Sequence, residues 1–130
     1  MGLVITIRLQ VNSAAAVKII ESILPKVRDK SIEVTLYKNL GWAYFQESSL
    51  EKAKQNLLIC LQLESNYTPA YCLLAQVQAA EGDHKSSRES WQTFLEFYAY
   101  DQEEKKFRGQ LPELEVWKLE AMRIINSQEK

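Results

Sequence analysis

Between Tyr37 and Phe94 the chain repeats itself at a distance of 34 residues. Shifted by that amount, Tyr37 falls on Tyr71, Leu40 on Leu74, Gly41 on Ala75, Ala53 on Ser87, Leu57 on Trp91 and Leu61 on Leu95. A period of this length with two helix-length stretches per copy restricts the chain to helix–turn–helix units. One such unit cannot bury its apolar face alone, so neighbouring units must stack.

The matched small residues give the pattern its physical reason. Two helices joined by a tight turn cross closely, and a large side chain at the crossing would push their axes beyond the usual separation of about 8–10 Å. Gly41 is expected to face Ala53, and Ala75 to face Ser87. Glycine inside a helix costs roughly 0.5–1 kcal/mol relative to alanine, so its presence at 41 signals a packing need. The competing reading, that Gly41 separates two helices, finds no other breaker between Lys38 and Phe45.

The first copy reads Tyr37-x-x-Leu40-Gly41-x-x-Tyr44 and then Ala53-x-x-x-Leu57; the second reads Tyr71-x-x-Leu74-Ala75-x-x-Gln78 and then Ser87-x-x-x-Trp91. This resembles the tetratricopeptide repeat (TPR) pattern. The resemblance implies an all-α fold: a short TPR-type helical-hairpin solenoid with a C-terminal capping helix. The expected layout is a single domain over 1–130. It has a degraded N-terminal hairpin (1–30), repeat 1 (31–66), repeat 2 (67–100) and a capping helix (112–127).

Local punctuation agrees with that division. Ser31 is a suitable N-cap for a helix over 32–47. Ser48-x-x-Glu51 has the capping-box spacing for a helix over 50–63. Thr68-Pro69 supplies a cap and an early proline. Gly82 suits a left-handed C-terminal position, and Asp83 then caps a helix running to about Tyr100.

The N-terminus is harder to read. Leu3, Ile5, Ile7, Leu9 and Val11 alternate with Thr6, Arg8 and Gln10, a strand pattern, yet no other segment reads as a strand to pair with it. The preferred reading is a short first helix turning near Ser13, followed by Ala16, Ile20 and Ile23 as a second-helix stripe. Pro25 either kinks or ends that helix, and Lys26 to Lys30 is a solvated charged connection. A hairpin this reduced leaves an apolar face open. It predicts self-association through the N-terminal hairpin, or a parent protein longer than this chain.

Five aromatics crowd residues 91–100. Trp91, Phe94, Leu95 and Tyr98 share one helical face, either as an exposed ligand patch or as core beneath the next helix. The second reading is favoured, because Leu114, Trp117, Ala121, Ile124 and Ile125 form a matching stripe. Glu113, Glu115, Lys118, Glu120 and Arg123 would supply the polar outer face that a terminal cap needs.

Composition narrows the function. With 46% hydrophobic and 25% charged residues the chain should fold. A net charge of −1, with acids and bases interleaved, offers no basic stripe for nucleic acid. No apolar run reaches membrane-span length, and no secretory signal pattern opens the chain; a cytoplasmic protein is expected. Cys60 and Cys72 have no metal or disulfide spacing. The one histidine, His84, has no nucleophile motif beside it, and the four glycines never cluster into a phosphate loop. These features predict neither enzyme chemistry nor a cofactor.

In the TPR family the first helix of each hairpin lines a concave groove that takes an extended peptide or a partner's helix. The resemblance assigns Thr35, Lys38, Asn39, Trp42, Phe45 and Gln46 to that groove in the first copy, and Cys72, Leu73, Gln76, Ala79 and Ala80 in the second. Trp42 and Phe45 are either interface anchors or packing for a neighbouring helix. A carboxylate-clamp variant of the family fits poorly. Lys38 matches a clamp lysine, but Trp42 and Leu73 stand where asparagines are expected. The implied function is protein–protein interaction, as a module of a larger bacterial regulatory or signalling protein. An assembly or chaperone-like factor and a peptide or small-ligand sensor are the alternatives.

Overall fold

The computed structural model describes the backbone over residues 2–104 and 112–128, and side chains over 13–100 and 116–127. All the elements among the described residues are helical: α1 (Gly2–Ile23), a 3-10 turn (Leu24–Lys26), α2 (Lys30–Gln46), α3 (Leu50–Leu63), α4 (Thr68–Ala80), α5 (His84–Glu104) and α6 (Pro112–Gln128). The chain divides into two compact units, Met1–Ser65 and Asn66–Lys130. In the first, α2 packs on α3 and α1 packs on α2; in the second, α4 packs on α5 and α5 on α6.

The α2–α3 pair forms because Gly41 has no side chain. A Cβ at 41 would lie 2.7 Å from Leu57 Cγ, 3.0 Å from its Cδ2 and 3.1 Å from the Ala53 carbonyl oxygen. Leu57 and Ala53 are completely buried, with Val34, Leu40, Ala43 and Cys60 completing the core around them. The α4–α5 pair meets the same demand differently. Ser87 Oγ donates to the Ala75 carbonyl at 2.7 Å, so the small polar residue at this crossing is buried with its hydroxyl satisfied.

The two hairpin turns also match at 34 residues. Ser48 (φ 64°) and Gly82 (φ 86°) both adopt left-handed backbone. Ser49 N–H donates to Tyr44 O and Ser48 N–H to Phe45 O; Asp83 N–H donates to Gln78 O and Gly82 N–H to Ala79 O. Each is the paired bond set of a Schellman motif, which satisfies the last carbonyls of the first helix.

Several cap assignments from the sequence are corrected. Asp29, not Ser31, caps α2. Its Oδ1 accepts from Ser31 N–H (2.8 Å) and Ile32 N–H (3.2 Å), and Ser31 Oγ donates to the same oxygen. These bonds hold the Asp29 carboxyl below its ordinary range, the side-chain bond from Ser31 contributing most. A carboxylate at a helix N-terminus also gains from the helix dipole, which a hydroxyl does not. Ser48 begins no capping box; it terminates α2, and Ser49 occupies the N-cap of α3. Tyr67 takes the N-cap of α4, one residue before Thr68. Asp83 does cap α5, accepting from Ser86 N–H at 3.1 Å.

The expected N-terminal hairpin is a single helix, α1, with no turn at Ser13. The strand-like alternation is overridden because a lone strand leaves its backbone groups unpaired, whereas a helix continuous with residues 14–23 satisfies them internally. Pro25 ends the helix in the 3-10 turn, where Val27 N–H donates to Leu24 O.

In the second unit Trp91, Phe94 and Tyr98 are buried. Trp91 meets Phe94 edge-on (6.0 Å, 84°) and lies 6.4 Å from Trp117 of α6, so the terminal helix covers the aromatic face. Ala121 is wholly buried. The outer face of α6 is less polar than expected. Val116, Leu119 and Met122 are exposed on it, while Lys118 turns back to sit 5.6 Å over the Tyr98 ring. The side chains of Glu113, Leu114 and Glu115 lie outside the described residues.

Two substitutions test this account in urea unfolding. Gly41→Ala should cost about 1–3 kcal/mol by overpacking against Leu57 and the α3 backbone, outweighing alanine's better helix propensity. Ser48→Gly should stabilise by roughly 0.5–1 kcal/mol, because it relieves a side chain held at positive φ.

Candidate functional site

The groove residues assigned to α2 divide between two sides of that helix. Asn39, Trp42 and Gln46, together with Ala43, line a cleft of about 290 Å³ whose other wall is Ser13, Ala16 and Ile20 of α1. Phe45 stacks on Trp42 with ring centroids 5.2 Å apart and planes at 30°, so the two aromatics support each other at the edge of the cleft. Lys38 lies near enough to Cys60 of α3 for its charge to act on that thiol. Thr35 Oγ1 donates to Ser31 O within its own helix.

The second copy supplies less surface. Cys72 and Leu73 are buried, and Cys72 Sγ lies 3.1 Å from the Pro69 carbonyl, so both belong to the core rather than to a groove. Helix α4 is apolar on most of its circumference, with Ala70, Leu74, Ala75 and Val77 buried as well. Gln76 is half-buried and donates to Cys72 O; Ala79 and Ala80 are exposed.

The sequence pattern places Ala16 and Ile20 on one stripe but assigns neither to a groove. Ser13, Ala16 and Ile20 follow the i, i+3, i+7 spacing of one helical face, a signal obscured by the expected turn at Ser13. Polar bonds hold this wall in place. Buried Ser13 donates from Oγ to Glu47 Oε1 at 2.8 Å. Tyr44 donates its hydroxyl to Glu21 of α1, and Lys52 Nζ lies 5.4 Å from the Tyr44 ring centroid.

The cleft floor is apolar, its rim carries two carboxamides, and no charged side chain lines it. Asn39 and Gln46 are seven residues apart, about 10 Å along the helix, close to the span of three residues of extended chain. The hydroxyl in the lining, that of Ser13, is engaged with Glu47. Burial pushes the Cys60 thiol up to about 12, the nearby Lys38 charge opposing and Glu64 adding, so that sulfur is an apolar core group at neutral pH. Among the described residues, no group of three or more His, Cys, Asp or Glu could hold a metal ion, and no helix is long and apolar enough to cross a membrane.

The bond to Glu21 raises the Tyr44 phenol to about 12, with burial and the carboxylate charge adding to it. Because the folded value lies above the ordinary 10, this contribution to stability is complete below pH 10 and is lost as pH rises from 10 towards 12. Thermal melts should show Tyr44→Phe losing less stability than the parent chain across that interval. Equal alkaline losses in both would exclude the Tyr44–Glu21 bond as a source of the effect.

In comparisons with known proteins, no family model, curated protein or solved structure matches this chain.

Proposed function

We propose that the protein is a TPR-type interaction module that binds an uncharged, extended segment of a partner protein along the α1–α2 cleft. The observation that carries this reading is the convergence of Asn39, Trp42 and Gln46 with the α1 residues Ser13, Ala16 and Ile20 on one cleft. An apolar floor accepts a side chain, the indole gives contact area at low entropic cost, and carboxamides can donate to and accept from a peptide backbone. The 34-residue period, the matched Schellman turns and the small-residue crossings support the repeat assignment. Function then lies in recognition, with no chemistry of the protein's own. A small-ligand sensor is the second reading, favoured by a cleft volume of about 290 Å³ that approaches the lower bound of roughly 300 Å³ for small-molecule sites.

Selection from a displayed random-peptide library, followed by fluorescence anisotropy, tests the proposal. Selected peptides should be apolar and poor in charge. Asn39→Ala/Gln46→Ala should weaken them by about tenfold or more while the melting midpoint stays within a few degrees. Failure to select any peptide, or binding indifferent to the double substitution, would sink this reading. A midpoint raised by metabolites and not by peptides would favour the sensor instead.

A further inference from the structure

We draw no further inference here: the strongest candidate, the exposed apolar ridge of Val116, Leu119 and Met122 on α6, carries none, because nothing in the structure shows what covers it.

Discussion

The close approach of α2 and α3 at Gly41 is the constraint on which the first unit depends. With hydrogen in place of a side chain, the fully buried Leu57 can rest against the α2 backbone. This contact also sets the rotation of α2. At about 100° per residue, fixing residue 41 toward α3 carries residues 39, 42 and 46 some 100–160° around the helix. That is the side on which α1 lies and where the cleft forms. The cleft is thus a consequence of the same packing contact, read from the opposite face of the helix.

The two hairpins meet the same two geometric demands with their glycines exchanged. Each needs a small residue at the crossing and a left-handed residue at the turn. The first places glycine at the crossing (Gly41) and serine in the left-handed turn (Ser48). The second places alanine and serine at the crossing, where Ser87 donates to Ala75 O, and glycine in the turn (Gly82). Left-handed backbone costs a residue with a Cβ about 1–2 kcal/mol, so the first hairpin carries strain at Ser48 that the second avoids. The second has alanine and serine at its crossing and satisfies the buried hydroxyl with a hydrogen bond.

Polar contacts in the first unit do a separate task. The bonds Ser13–Glu47 and Tyr44–Glu21 tie α1 to α2 at defined points. Apolar packing alone is non-directional, so bonds of this kind specify where the α1 wall stands relative to Asn39, Trp42 and Gln46. In the second unit the corresponding task falls to aromatic packing: Trp91, Phe94 and Trp117 interlock α5 with α6.

The residue pattern by itself determined the helical class, the 34-residue spacing of the two hairpins, the close approach at Gly41 and the burial of the Trp91–Tyr98 face. These follow from local steric and periodic rules that do not depend on distant partners: small residues at crossings, turn residues after helices, apolar stripes at 3.6-residue spacing. Only the tertiary structure decided that α1 is one helix, that Asp29 outcompetes Ser31 as a cap, that Cys72 and Leu73 are core, and that Asn39, Trp42 and Gln46 face α1 while Lys38 lies near Cys60. Each of those outcomes is a competition between alternatives that are locally comparable. The winner is set by which backbone groups, carboxylates and apolar faces meet once the helices pack.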